Sequence, residues 1–263
     1  MPVRFFVITF LWSWIFFIPL YLISKGIIKG EVFTLPLISI AAFGPAIGAL
    51  TSIRSINGKE AVKDHLRSFF SLKFGLKVWV SIFLFLGLAA FLAWIVPEFF
   101  GEKRIPIDPL NVYMFPVYIV VMTLLGGGQE EIGWRGYIQP MFEKRFGLIF
   151  GTIIFGTIWS VWHLPLWIIP ETGQSEMNFV VFLIGSIAIS YFYSWVVEAS
   201  GKRLSGMVAH GAGNTFQSIF PLVSVTDAKQ TRLWIFCIFI ILLGTIAVLM
   251  RIMKNRAKRY LLR

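Results

Sequence analysis

What is scarce in this sequence decides its class. Among 263 residues there are one cysteine, three histidines and 13 acidic side chains, and charged residues make up only 14% of the total. The single cysteine, Cys237, excludes an internal disulfide. With no histidine near it in sequence, it gives no support to a thiol nucleophile and reads as a buried spectator. A soluble domain averages about 25% charged residues, so this chain lacks the polar side chains to cover its own surface. With 57% hydrophobic and 17% aromatic residues, the surplus apolar surface must face lipid. The expected fold class is an all-α polytopic membrane protein, a single domain over residues 1–263. No internal repeat or low-complexity linker suggests a second one.

The apolar residues come in runs. Arg4 precedes one from about Phe5 to Ile23, too long for a signal-peptide core and without a small-residue cleavage site. Others follow at roughly 32–50, 77–97, 112–127, 148–164, 178–198, 205–221 and 231–251. Each approaches the ~20 residues that a helix needs to span the hydrocarbon core. About eight transmembrane helices enclosing a polar cavity are therefore expected, the run at 205–221 being the weakest. Charge supports the count. If the N-terminus is cytoplasmic, only six of the 24 Lys and Arg fall outside: Lys25, Lys29, Lys103, Arg104, Lys229 and Arg232. The loop 165–177 has none, the inside segments hold the rest, and a basic tail at 251–263 ends the chain. That is a strong positive-inside bias, with both termini cytoplasmic in the cell membrane.

The net charge of +11 lies between apolar runs, which suits anionic lipid headgroups and not nucleic acid. Between the second and third runs, Asn57 can cap an amphipathic helix with Val62, Leu66, Phe69 and Phe70 on one side and Lys59, Lys63 and Arg67 on the other. It reads as an interfacial helix on the cytoplasmic leaflet. His65, on that helix, reads as a solvated surface histidine.

Against this apolar background the stretch Gly126-Gly127-Gly128-Gln129-Glu130-Glu131-Ile132-Gly133-Trp134-Arg135 stands out. It puts two carboxylates and an arginine at the membrane edge, where each costs ~2.5–3.5 kcal/mol and is presumed functional. Residues ~100° apart on a helix cannot point the same way, so the two acids divide. Glu131 and Arg135 are spaced i,i+4 with the acid first, the favoured order for an ion pair. Glu130 is left without a helical partner, free to face a cavity, and desolvation would suit it to act as a general base. The alternative is a structural salt bridge with Glu130 solvated at headgroup level. Three glycines would let a substrate backbone approach closely, or simply end a helix. Two more runs each contribute one histidine. His163 precedes Leu164-Pro165 at a helix end; His210 shares a helical face with Asn214, flanked by Gly206, Gly211 and Gly213. Alone, each is an ordinary structural residue or helix-packing feature. Their coincidence with the acid pair is the signal.

This constellation resembles the CPBP family of CAAX proteases and bacteriocin-processing enzymes, which includes the type II CAAX prenyl endopeptidase. The family's Glu-Glu-x-x-x-Arg corresponds to Glu130 through Arg135. Its Phe-x-x-x-His corresponds to Trp159-Ser160-Val161-Trp162-His163, with Trp for Phe, an exchange expected to touch packing and not chemistry. Its His-x-x-x-Asn corresponds to His210-Gly211-Ala212-Gly213-Asn214. The resemblance covers about residues 115–220. It implies an intramembrane endopeptidase in which Glu130, with His163, activates a water to attack a peptide carbonyl. His210 and Asn214 would hold the oxyanion, a role open to a neutral imidazole and a carboxamide. Glu131 and Arg135 would support the site, and no cofactor would be needed.

Other readings stay open. Glu130, His163 and His210 are also a ligand set for a catalytic zinc, although no local signature such as His-Glu-x-x-His accompanies them. A non-catalytic scaffold or bacteriocin-immunity protein could use the same cavity, and a transporter is disfavoured by the lack of repeat symmetry. The substrate is expected to be a membrane-associated peptide or protein. Whether it is prenylated is open, since a compact chain without a targeting signal looks prokaryotic. Cleavage is expected near the cytoplasmic face.

Overall fold

The computed structural model describes residues 2–170, 172–223 and 229–261, with side chains up to residue 257. The last basic residues of the tail lie outside that range. All regular structure among the described residues is helical. Twelve α-helical segments run in order: α1 Val3–Ser24, α2 Thr34–Ala41, α3 Gly44–Arg67, α4 Leu76–Val80, α5 Leu86–Ile95, α6 Pro109–Tyr113, α7 Phe115–Leu124, α8 Gln139–Phe146, α9 Leu148–Trp162, α10 Phe179–Ser200, α11 Leu204–Ile219 and α12 Thr231–Leu261. A π turn over Ser81–Phe85 joins α4 to α5 into one rod.

All eight apolar runs fold as helix, but among the described residues only six helical stretches are long and apolar enough to cross a membrane. The other two are α7, with 10 residues, and α11, with 16. At 1.5 Å per residue, α7 covers about 15 Å, half of a hydrocarbon core. The chain descends the rest of the way through a 3-10 turn at Gly128–Ile132, a π turn at Trp134–Ile138 and α8. This broken descent corrects the placement of the acid pair. The Arg135 guanidinium donates to Ser190 Oγ at 3.0 Å, and Ser190 lies midway along the 22 residues of α10. The motif therefore sits at half depth in the bundle, not at its edge.

Small residues let the helices close around it. A Cβ on Gly44 would stand 2.2 Å from Ser13 Oγ, and one on Gly48 would stand 2.3 Å from Thr9 Oγ1. The crossing of α1 and α3 thus depends on a small-x-x-x-small face. The amphipathic helix is also revised: it continues α3 beyond a break at Gly58 (φ 82°, ψ −177°). Its His65 is not solvated. It is 8% exposed, with Nε2 2.9 Å from the Ile132 carbonyl oxygen and Nδ1 2.8 Å from an Arg203 nitrogen.

The segments that the charge count puts on one side meet one another. At one end Arg4 bonds Ser55, Arg203 bonds Ser68, and Arg251 joins Glu143 at 2.6 Å and Glu198 at 2.7 Å. At the other end Arg232, 2% exposed, donates to the carbonyls of Trp94 (3.2 Å) and Lys103 (2.8 Å) and pairs with Glu102.

Candidate active site

Gly127 sits at φ +120°, a conformation that only glycine adopts without strain, and it turns the chain out of α7. Gln129 braces the turn, accepting from the Gly127 N–H at 2.9 Å and donating to the Leu125 carbonyl at 2.8 Å. Gly133 passes so close to α3 that a Cβ there would lie 2.1 Å from the Pro45 carbonyl oxygen. The acid pair therefore rides on a 3-10 turn pressed into the bundle. A 3-10 turn advances about 120° per residue, so Glu130 and Glu131 still diverge.

Glu131 is fully buried. Its Oε1 accepts from Arg135 Nη1 and from His210 Nδ1, both at 2.8 Å. The Arg135 guanidinium lies over the rings of Trp159 (4.3 Å), Phe155 (4.9 Å) and Tyr193 (5.1 Å). Aromatic faces thus offset part of the desolvation that a guanidinium pays so deep in the bundle. The ion pair read from the i,i+4 spacing is present, and Glu131 also orients a histidine on a different helix.

Glu130 is not free of partners. Its Oε2 accepts from Trp134 Nε1 at 3.2 Å, four residues on, and from Trp159 Nε1 at 3.0 Å. Sequence reasoning missed both indoles, since an apolar-looking tryptophan next to a helical run reads as packing. Trp159 is more than that. Its ring is 5.6 Å from the ring of His163, 5.4 Å from that of His210 and 4.3 Å from the Arg135 guanidinium. The three motifs meet around this one side chain.

The partners of the two histidines assign their protons. His163 Nδ1 lies 2.8 Å from the Trp159 carbonyl oxygen, which can only accept, so Nδ1 carries the hydrogen and Nε2 carries the lone pair. His210 Nδ1 faces the Glu131 carboxylate, and the same reasoning leaves its Nε2 without a hydrogen in the neutral ring. This revises the sequence reading: a neutral His210 cannot donate from Nε2, and only the imidazolium, held by Glu131, can. Asn214 Nδ2 donates to the Gly126 carbonyl at 2.7 Å and keeps its second N–H. A Cβ on Gly127 would stand 2.7 Å from both Asn214 Nδ2 and His210 Nε2, so the bare Cα of that glycine forms the floor beneath these two groups.

Comparisons with known proteins place the chain near membrane proteases. Residues 112–216 match the family described as type II CAAX prenyl endopeptidase Rce1-like. That segment contains every candidate residue from Glu130 to Asn214. The chain is also 28% identical over 242 residues to the CAAX prenyl protease 2 of Methanococcus maripaludis, covering 88% of this chain and 89% of that protein. The resemblance read from three short motifs is borne out, and both findings support a membrane protease.

Proposed function

We propose that this chain is an intramembrane endopeptidase that hydrolyses a peptide bond of a membrane-associated peptide or protein by glutamate-activated water. The observation that carries the reading is the convergence on Trp159 of Glu130, His163 and His210, from three separate segments of the chain. Glu130 takes a proton from a water that the His163 Nε2 lone pair helps to orient. The water oxygen bonds to the carbonyl carbon, and the oxyanion settles over Gly127 against the second Asn214 N–H and the His210 imidazolium. Such donors stabilise charge that develops only in the transition state, each contributing about 10²–10³ in rate. Collapse breaks the C–N bond, and the proton on Glu130 passes to the leaving amine. Glu131 holds His210 Nδ1 and so orients the ring towards this position.

The half-depth position of the motif favours substrates that enter the bundle from the bilayer. The name of the Methanococcus relative points to a prenylated carboxy-terminal segment as one such substrate, and a lipid anchor would deliver a peptide to this depth. The competing chemistry is a zinc ion held by Glu130, His163 and His210. With two indole donors on Glu130 Oε2, a metal could be held only through Oε1, the same oxygen that the metal-free version gives to the water, and a chelator separates the two.

The test is cleavage of a mixed library of membrane-associated peptides, prenylated and not, by purified protein in detergent. Wild type, Glu130→Gln and wild type with a strong chelator are compared. Loss of cleavage in the variant alone supports the glutamate-activated water. Loss in both favours zinc. Unchanged cleavage by Glu130→Gln removes Glu130 from the chemistry, and a cellular phenotype that survives this substitution favours a scaffold.

A further inference from the structure

We propose that Trp159 and Trp134 are positioning residues whose indole N–H groups, 3.0 and 3.2 Å from Oε2 of Glu130, pin that oxygen and leave Oε1 to meet the water. The proposal rests on the reading of Glu130 as the base. A carboxylate rotates easily about its last bond, a broad and nearly two-fold torsion, so an unrestrained glutamate exchanges its oxygens. Here two donors from different elements, one in α9 and one in the π turn after the acid pair, converge on the same oxygen. Rotation would break both bonds at a carboxylate that is only 4% exposed, where their loss is poorly compensated. The plane of the carboxylate, and with it the free lone pairs of Oε1, is thereby fixed.

The departure from the family pattern at position 159 takes on a chemical meaning. A phenylalanine would fill the space between His163, His210 and Arg135 but has no N–H to offer. The tryptophan keeps the ring contacts and adds a donor aimed at the acid. A third indole in the same cluster supplies the contrast. Trp162 packs edge-on against Trp134, with ring centroids 5.8 Å apart, yet its own Nε1 is buried without a hydrogen-bond partner. Tryptophan to phenylalanine at 162 therefore removes a similar volume from the same cluster and breaks no bond to Glu130.

The experiment compares Trp159→Phe, Trp134→Phe and Trp162→Phe on the library peptide that wild type cuts best. Detergent melting temperatures verify folding. Trp159→Phe and Trp134→Phe should each lower kcat about tenfold or more, as expected for a lost hydrogen bond to a charged group, with KM within about twofold. Trp162→Phe should lose clearly less. Equal losses in all three variants, or losses carried by KM, would overturn the proposal. If Glu130→Gln itself still cuts, the reading of the base fails instead. A second measurement needs no turnover and carries the test where Trp159→Phe does not fold. Ultraviolet resonance Raman bands that sense indole N–H bonding should weaken in Glu130→Ala for two tryptophans and return in part in Glu130→Gln. Bands unchanged by Glu130→Ala would also overturn the proposal.

Discussion

Gly127 shows at the residue scale how little separates an open site from a blocked one. A Cβ there would intrude to 2.7 Å from both His210 Nε2 and Asn214 Nδ2 and would demand φ +120° of an L-residue. Gly127→Ala should therefore lower kcat/KM at least about 100-fold, as when an oxyanion donor is lost. Backbone strain should take about 1–3 kcal/mol from stability as well. Gly147→Ala separates the two effects. That glycine also has positive φ, +79°, but a Cβ would meet nothing within 4 Å. It should lose stability in detergent melting and keep its activity; equal loss of activity in the two variants would show that strain, not obstruction, is responsible. The polar residues of the site were legible because each stands out against apolar neighbours: Glu130, Glu131, Arg135, His163, His210 and Asn214 are all gathered. Their mutual geometry was not. That Glu131 serves His210 as well as Arg135, and that Trp159 and Trp134 serve Glu130, depends on which helices touch, and no spacing within one helix encodes that. His65 was misread for the same reason, since its partners lie at positions 132 and 203.

Among the elements, the apolar runs located each of the six membrane-length helical stretches found among the described residues, because about twenty apolar residues without charge leave few alternatives in a bilayer. The break within the segment 115–146 was harder to see. Gly126-Gly127-Gly128 signals the end of a helix but not that the chain continues inward as a 3-10 and then a π turn, which have no hydrophobic period of their own. At the far end of that segment, α8, α10 and α12 are tied by Arg251, which bonds Glu143 through Nη2 at 2.6 Å and Glu198 through Nε at 2.7 Å. Glu143 also accepts from Gln139 and Thr152, so it is held in a half-buried polar cluster. Arg251→Met would leave Glu143 without its cation, while Glu198 keeps Lys254 at 3.0 Å, and breaking such a pair on one side costs about 3–5 kcal/mol when buried. Partial exposure reduces that here, and a loss of about 2–3 kcal/mol in detergent unfolding is expected. Adding Glu143→Gln should restore part of it, because the uncompensated charge is then gone. No recovery in the double variant would mean that the arginine acts through packing alone.

For the molecule as a whole, the question is which end faces which compartment. Side-chain bonds group Arg4, Arg203 and Arg251 at one end and Arg232 and Glu102 at the other, matching the two sets that the charge distribution assigns to opposite faces. A lone cysteine makes this easy to test. Cys237 is buried among apolar residues and can be replaced by alanine, giving a background without thiols. Lys144 and Glu176 are both exposed. On this background Glu176→Cys should react with a membrane-impermeant maleimide added to intact cells, and Lys144→Cys only after permeabilisation. The reverse pattern would invert the topology while leaving the two-ended arrangement in place. Reaction of both from one side would break the arrangement itself. The outcome also bears on the chemistry. Trp159, which donates to Glu130, lies eleven residues into α9, so Glu130 stands about 16 Å along that helix. From that depth, cleavage close to the cytoplasmic face would require the substrate to be drawn some way into the bundle. A scan of cleavage positions along a model transmembrane peptide should therefore place the cut inside the apolar segment and not at its cytoplasmic border.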